Sequence, residues 1–441
     1  MSVANQTLQR LLLDLLSPLR PVDQQRLTML GAAEWSVVMR SVRQHRLGPM
    51  LHWQLSRGQS HLDVPGEIRS VLAQSYTKST LRSLTLQREL LIIHKILTQA
   101  KIPYIALKGA YLAYHAYPQA GLRPLRDLDI LVPKEQVLAA YEVLLAAGLT
   151  RIDDYLGTPD AALLLYKHLP PLRSCSGQAI VELHARLYDQ NCFLHTDPSD
   201  DSRFWERCIT APLAQEQITY ESPTDCLLHM IFHAVYEHQF NNGPLLLPDL
   251  AFLMTTQIID WDLFWTIARQ EQQMRGYILA LKLTQRYWDV GHIDWPSEVD
   301  GTVYLNLEAA LAIAESLMLQ DVETHKGIGL HLEVFRAEGL AAKGSVLLRK
   351  VFRPKIFIAG FYPVRAEDWR VYLWYPVYWL RLITERLPDL WKTRQQSDMH
   401  EEINHVTDLQ PFRAFLKNNW HPLRALFWAQ NPLSLYYQEL L

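Results

Sequence analysis

The sequence lacks several features that define common classes of protein. Only 18 glycines and four cysteines occur among 441 residues, and no two cysteines form a CxxC pair. These counts exclude a collagen-like chain, a disulfide framework and a cysteine-rich zinc module. The net charge is −3, so the chain as a whole is no general nucleic-acid-binding protein. We expect the cysteines to be reduced and partly buried.

Long hydrophobic runs are also missing. Charged residues interrupt every stretch long enough to cross a membrane, and the N-terminal segment lacks the basic start of a signal peptide. We therefore expect a soluble, cytoplasmic protein. Hydrophobic residues make up 49% of the chain, which is enough for a large core in two or three domains.

The spacing of hydrophobic residues divides the chain into four regions. Residues 1–88 and 216–330 show the three-to-four spacing of helices, whereas residues 89–215 alternate between strand and helix patterns. Residues 331–441 predict further helices in a basic, aromatic-rich region. The fold class expected is α+β, with a small mixed sheet embedded between largely helical regions.

The central region predicts the order strand, helix, strand, helix, strand, strand. Its segments are, in order, IPYIALKG, AYLAYHAY, DLDILVP, KEQVLAAYEVLLAAG, AALLLYKHLPPL and QAIVELHARLY. The last two are expected to form a hairpin about Gly177. The polar segment HTDPSDDSR, residues 195–203, predicts a loop, and the helical pattern returns near residue 222.

Two aspartates carry the first chemical signal. Asp127 and Asp129 are two apart in a strand-like run, so their side chains share one face. Two neighbouring carboxylates repel each other unless a cation lies between them, and Mg²⁺ prefers such oxygen ligands. The alternative is a pair of solvated acids at a strand end.

A third acid occurs in the last strand of the region. Glu182 lies between apolar neighbours, and His184 shares its face of the strand. If this strand lies beside the Asp127–Asp129 strand, the three acids could hold two metal ions, as in phosphoryl transfer. Glu182 could instead pair with Arg186, and His184 could either orient Glu182 or pack in the core.

Basic residues flank these acids. Lys108 and Gly109 end the first strand and open a helix, where backbone amides favour phosphate. Arg123 and Arg126 precede the acids and could neutralise a triphosphate. The alternative is that both arginines are surface residues paired with acids.

This pattern resembles the DNA polymerase beta-like nucleotidyltransferase superfamily. More closely, LKGAYLAYHAYP, GLRPLRDLDILV and VELHARL resemble the bacterial family of uncharacterised nucleotidyltransferases, as do the helical segments LLHMIFHAVYEH and LLLPDLAFLM. The resemblance covers roughly residues 85–290. It implies that residues 89–215 form a nucleotidyltransferase domain and that residues 216–330 shape an acceptor pocket.

The resemblance implies a role for each matched position. Asp127 and Asp129 would bind the catalytic and nucleotide-bound metals, and Glu182 would bind metal and help deprotonate the acceptor. Ala110 stands where the superfamily usually has a serine that contacts a phosphate. The residues expected to bind the nucleotide are Lys108, Gly109, Ala110, Arg123, Arg126 and His184.

Several other residues have more than one interpretation. His229 and His233 are four apart with His238 beyond them, but no third ligand is evident, so packing or an acceptor pocket is favoured over metal. Asp249 is expected to cap a helix. Residues 343–394 carry 11 Lys and Arg against 4 Asp and Glu. Their aromatic side chains could pack on the core, which is favoured, bind RNA, or contact a membrane surface or a partner protein.

The function predicted from these residues is nucleotidyl transfer that depends on Mg²⁺ or Mn²⁺. An NTP would donate its NMP to an acceptor hydroxyl or phosphate, with release of pyrophosphate. A small-molecule acceptor is favoured, and a tRNA or protein acceptor, as in toxin-like enzymes, remains open. The alternative from another class is a catalytically silent nucleotide-binding or scaffold module.

Overall fold

The computed structural model describes most of the chain in two compact units. The described residues are 3–57, 62–152, 157–188, 197–300, 307–320, 351–362, 364–386 and 415–416. The first unit comprises Met1–Arg151, Pro171–Tyr188 and Leu194–Gln320, and the second comprises Ile152–Pro170, Asp189–Phe193 and Asp321–Leu441. The expectations for residues 321–350 and 387–414, and for 417 onward, lie outside the described residues.

Five helices form the N-terminal part of the first unit, as the apolar spacing predicts. They are α1 (Val3–Leu16), α2 (Gln24–Thr28), α3 (Ala32–Gln44), α4 (Gly48–Ser56) and α5 (Gly66–Gln99). The long helix α5 buries Leu86, Leu90, Ile93 and Leu97, which are three or four residues apart and so share one face.

A seven-stranded mixed sheet follows and confirms the α+β class. Its strands are β1 (Ile105–Ala106), β2 (Leu128–Leu131), β3 (Thr150–Arg151), β4 (Leu172–Arg173), β5 (Ile180–His184), β6 (Ile209–Leu213) and β7 (Glu216–Tyr220). Their order across the sheet is β3-β4-β5-β2-β1-β7-β6. Strand β2 is antiparallel to β1 and parallel to β5, and β1 is parallel to β7.

Helices between the strands largely follow the predicted pattern. After β1 the chain forms α6 (Gly109–Tyr111), which continues as a π-helical turn over Leu112–Ala116 and is followed by a 3-10 turn at Ala120–Leu122. The predicted amphipathic helix is α7 (Val137–Ala146). The predicted hairpin about Gly177 joins β4 to β5, although β4 begins only at Leu172.

Two local predictions are wrong. The first five residues of AALLLYKHLPPL, a segment expected as a strand, lie in helix α8 (Pro159–Leu165), because Thr158 caps its first turn and accepts from the Ala161 N–H. Part of the expected loop at 195–203 starts helix α9 (Ser202–Arg207), which Asp201 caps. The sequence analysis did not predict the hairpin of β6 and β7.

The remaining helices of the first unit agree with the helical pattern predicted from residue 222. They are α10 (Pro223–Phe232), which continues as a π-helical turn at His233–Glu237, then α11 (Leu246–Thr256), α12 (Trp261–Gln270), α13 (Met274–Tyr287) and α14 (Leu307–Met318). A 3-10 turn at Ser297–Asp300 lies between the last two. Ser222 begins this part, because its side chain accepts from the Asp225 N–H.

The second unit contains short helices. Besides α8, these are α15 (Lys355–Phe361), a 3-10 turn at Trp369–Trp374, α16 (Tyr375–Arg381) and a π-helical turn at Leu382–Arg386. Trp369, Tyr372 and Leu380 are exposed, so the expectation that this region packs its aromatic residues on the core does not hold for Trp369 and Tyr372. Of the helices described, none combines the length and apolar character that crossing a membrane requires.

Helix α5 packs closely against the turn that leads into β2. A Cβ atom on Gly121 would lie 2.1 Å from Oγ1 and 3.0 Å from the backbone Cα of Thr80. The Thr80 hydroxyl donates to the carbonyl oxygen of Tyr76 at 3.0 Å, so it is held in place. The close approach of α5 therefore requires glycine at position 121.

We expect Gly121→Ala to lower the free energy of unfolding by about 1–3 kcal/mol, because the added methyl group overpacks this contact. Urea unfolding followed by circular dichroism measures the change. Gly66→Ala is the matched control, because a Cβ on Gly66 meets nothing within 4 Å. Equal stability of the two variants would contradict the account of the α5 contact.

Candidate active site

The register between two parallel strands brings two acids together. Asp129 on β2 pairs with Glu182 on β5, and Leu131 pairs with His184 two positions further on. Paired residues of neighbouring strands point to the same face of the sheet. Strand β5, which carries Glu182, therefore lies beside β2, which carries Asp129. This was the condition under which the sequence predicted a cluster of carboxylates.

Asp129, Glu182 and His184 form a compact group. One ligand-type atom from each lies within 4.8 Å of the others. Nε2 of His184 is 3.3 Å from Oδ1 of Asp129 and 3.7 Å from Oε2 of Glu182. Burial opposes the charge of His184, but its hydrogen bonds to the two carboxylates outweigh burial and raise its pKa. The two carboxylates therefore favour the protonated form of His184.

Asp127 lies directly before β2 and is influenced by the same charges. Its burial, followed by the negative charges of Asp129 and Glu182, raises its pKa to about 7, while Arg126 and Lys108 lower it. The compact group of ligand-type atoms, however, contains His184 rather than Asp127. The three predicted acids therefore share one electrostatic environment, with Asp129 and Glu182 at its centre.

The donor set of the compact group fits a divalent metal ion. Carboxylate oxygens suit Mg²⁺ and Mn²⁺, and imidazole suits Mn²⁺ better than Mg²⁺. Asp129 and Glu182 could bind such an ion directly, with Asp127 contributing further negative charge. Burial and then the negative charges of Asp129 and Glu182 raise the pKa of Asp127, and a cation among the acids would relieve the repulsive part of this effect.

The turn after β1 is held by a buried carboxylate that the sequence did not reveal. Lys108 has a φ of 40°, which is unusual for a residue with a side chain, and its N–H donates to Oε1 of Glu221 at 2.9 Å. Oε2 of Glu221 lies 2.8 Å from Nδ1 of His229. Glu221 and His229 are both buried, so His229 has a packing role behind the turn.

The backbone of this turn is already engaged within the protein. The Ala110 N–H donates to the Leu107 carbonyl oxygen at 3.3 Å, and the Lys108 N–H donates to Glu221. Gly109 is packed closely, because a Cβ there would lie 2.7 Å from Nη1 of Arg123. These observations limit the number of backbone amides that a phosphate could use here.

Arg123 is part of an internal ion pair. Its Nε and Nη2 donate to the two carboxylate oxygens of Asp249 at 2.8 and 3.0 Å, and the Tyr117 hydroxyl donates to Oδ1 at 2.6 Å. Asp249 was expected to cap a helix, which is wrong, because it lies inside α11 after the capping residue Leu245. Arg123 thus fixes Gly109 and α11 relative to each other.

Arg126 lies at the edge of the acid cluster. Its backbone carbonyl oxygen accepts from Nη2 of Arg82 at 2.7 Å, and its own Nε is buried with no hydrogen-bond partner among the described residues. Arg82, on helix α5, was not singled out from the sequence, because an arginine in a long helix carries no local signal of a site.

A second group of possible metal ligands lies on the π-helical turn after α10. His233, Glu237 and His238 are half-buried and bring ligand-type atoms within 4.8 Å of one another. Nδ1 of His233 already bonds Oε2 of Glu237. Glu237 supplies the third group that was not evident from the sequence.

Paired acids on a mixed sheet beside a basic turn suit metal-assisted phosphoryl transfer. The model of the family described as "Uncharacterised nucleotidyltransferase" matches residues 31–289, more than half of the chain. The chain therefore belongs to this family and is a nucleotidyltransferase. Nothing similar was found among the curated proteins, and no solved structure is similar either.

The match extends further toward the N-terminus than the sequence motifs indicated. It begins at residue 31, within the N-terminal helices, whereas the resemblance in the motifs began near residue 85. Helices α3, α4 and α5 thus belong to the family's common unit. As a class, nucleotidyltransferases use a nucleoside triphosphate and a divalent metal ion.

We expect Glu221→Gln to remove a pH dependence of stability. Burial raises the pKa of Glu221 from 4.5 to about 7, so the folded protein binds its proton more tightly than the unfolded chain. The free energy of unfolding should therefore fall as the pH rises from about 4.5 to above 7. This fall should be on the order of 3 kcal/mol larger in the wild type than in Glu221→Gln. Urea unfolding at several pH values measures the difference, and parallel curves would contradict it.

We expect Asp249→Asn to destabilise the protein by about 3 kcal/mol, because it leaves the Arg123 guanidinium buried without its carboxylate. Thermal and urea unfolding measure the loss. Asp262→Asn, at an exposed acid on α12, is the control and should change stability by less than about 0.5 kcal/mol. A similar small change in both variants would show that the ion pair does not stabilise the site.

Proposed function

We propose that the protein transfers an NMP group from an NTP to an acceptor hydroxyl or phosphate, in a reaction that depends on Mg²⁺ or Mn²⁺. The observation that supports this most directly is the pairing of Asp129 with Glu182 across β2 and β5, with Asp127 beside them. The repulsion among these acids is the property expected of a site that binds divalent cations.

In this proposal the metal ions bound at Asp127, Asp129 and Glu182 would lower the pKa of the acceptor and offset charge on the phosphates. Glu182 takes the proton of the acceptor hydroxyl. The acceptor oxygen forms a bond to the α-phosphorus while the bond from that phosphorus to the bridging oxygen breaks. Pyrophosphate leaves with the electrons of that bond.

The basic residues have separate roles in this proposal. Lys108 is held at the turn after β1 by Glu221, where its charge acts on Asp127. Arg123 positions the turn through its contact with Gly109, because Asp249 engages its guanidinium. His184 bonds Asp129 and orients the carboxylates before the metal binds.

We further propose a small molecule as the acceptor, with the helices after β7 shaping its pocket. A tRNA or protein acceptor, and a silent nucleotide-binding module, are the competing outcomes of the test below.

We expect the purified protein to transfer label from an α-³²P-labelled NTP to a component of a cell extract in the presence of Mg²⁺ or Mn²⁺. Asp127→Asn and Asp129→Asn should each reduce transfer by at least about a hundredfold, because either change weakens the metal site. Separation into small-molecule, RNA and protein fractions identifies the acceptor class.

The control variant is Glu135→Gln, an exposed acid a few residues beyond β2, which should retain wild-type transfer. Label that appears equally with wild type and both aspartate variants would contradict the proposed site. NTP binding without any transfer would favour the silent nucleotide-binding module.

A further inference from the structure

Three arginines from separate parts of the chain interact electrostatically with Asp127. Arg46 lies in the turn between α3 and α4, Arg82 lies on α5, and Arg126 directly precedes Asp127. All three lie within the range that matches the family. Only Arg126 was expected at the site from the sequence.

Arg82 ties helix α5 to the acid-bearing strands. Its Nη2 donates to the Arg126 carbonyl oxygen at 2.7 Å, and its Nη1 donates to the carbonyl oxygen of Gln178, two residues before β5. The same helix supports the approach to β2 through the Thr80–Gly121 contact and through the Tyr114 hydroxyl, which donates to the Ser83 carbonyl oxygen at 2.9 Å. The N-terminal helices are therefore held against the strand that carries the acids.

The charges of these arginines lack carboxylate partners. No carboxylate of the described residues comes within ion-pair distance of Arg46, Arg82 or Arg126, and Nε of Arg126 is buried without a hydrogen-bond partner there. Burial, followed by the positive charge of Arg126, lowers the pKa of Arg46 to about 10, while Asp127 raises it. Arg46 and Arg126 are thus close enough to repel each other.

Two guanidinium groups that repel each other, with a third beside them, are costly unless an anion binds there. Asp127 is the nearby acid, and a single carboxylate cannot neutralise three guanidinium groups. The backbone offers little for an anion at this turn, because the amides of Lys108 and Ala110 are used internally. A phosphate bound here must therefore depend on side-chain cations.

We propose that Arg46, Arg82 and Arg126 bind the triphosphate of the nucleotide, so that the N-terminal helices form one wall of the nucleotide site. This inference rests on the proposed function and specifies how its substrate is held. Three guanidinium groups complement the three phosphate groups of an NTP. Their position near Asp127 would place the negative charge of the triphosphate next to the metal-binding acids.

The test measures binding of inorganic tripolyphosphate by isothermal titration calorimetry with EDTA present, which removes any contribution of a metal ion. We expect Arg46→Gln to weaken binding about tenfold or more, because it removes a charge-assisted hydrogen bond. Arg82→Gln should weaken it similarly. The controls are Arg40→Gln on α3 and Lys78→Gln on α5, both exposed, which should bind as the wild type does.

Arg46→Lys keeps the charge and loses the planar fork, so its affinity should lie between those of wild type and Arg46→Gln. This variant also keeps the test informative if Arg82→Gln fails to fold, which circular dichroism would reveal. Equal affinity of wild type, Arg46→Gln and Arg40→Gln would overturn the proposal.

A competition experiment identifies the source of the phosphate groups. A non-hydrolysable NTP analogue should displace tripolyphosphate from the wild type, and simultaneous binding of the two would overturn the assignment to the nucleotide. The binding results are independent of turnover. Arginine-dependent binding without transfer would refute the proposed function alone, and transfer that is unaffected in Arg46→Gln would refute this inference alone.

Discussion

The pairing of Asp129 with Glu182 across β2 and β5 is the constraint around which the site is built. A shift of one residue in this register would turn one of the two acids to the other face of the sheet. With the register as it is, like charges lie side by side, and Asp127 adds a third. The groups around the acids stabilise their negative charge: His184 bonds Asp129, and Lys108 and Arg126 lower the pKa of Asp127.

The site therefore depends on residues far apart in the chain. Glu221, at the end of β7, holds the Lys108 turn, and Asp249 in α11 holds Arg123 against Gly109. Helix α5 contacts the loop before β2 from the other side. This arrangement explains physically why the family match includes helices before the sheet as well as those after it.

The acids were predictable from the sequence because strand alternation and apolar neighbours are local signals. Glu221 and Arg46 were not predictable, because neither belongs to a periodic sequence pattern. Glu221 is a buried carboxylate that bonds a histidine eight residues away, and Arg46 lies in a turn. The error at α8 has a different cause. Its short apolar run suits strand and helix equally, and the capping residue Thr158 decided between them.

The most direct test of the central claim is to locate the metal. Crystals soaked with Mn²⁺ and a non-hydrolysable NTP analogue should show an anomalous diffraction peak within ligand distance of the carboxylate oxygens of Asp129 and Glu182. A bound nucleotide whose Mn²⁺ lies away from both carboxylates would contradict the account, because the paired acids would then have another purpose.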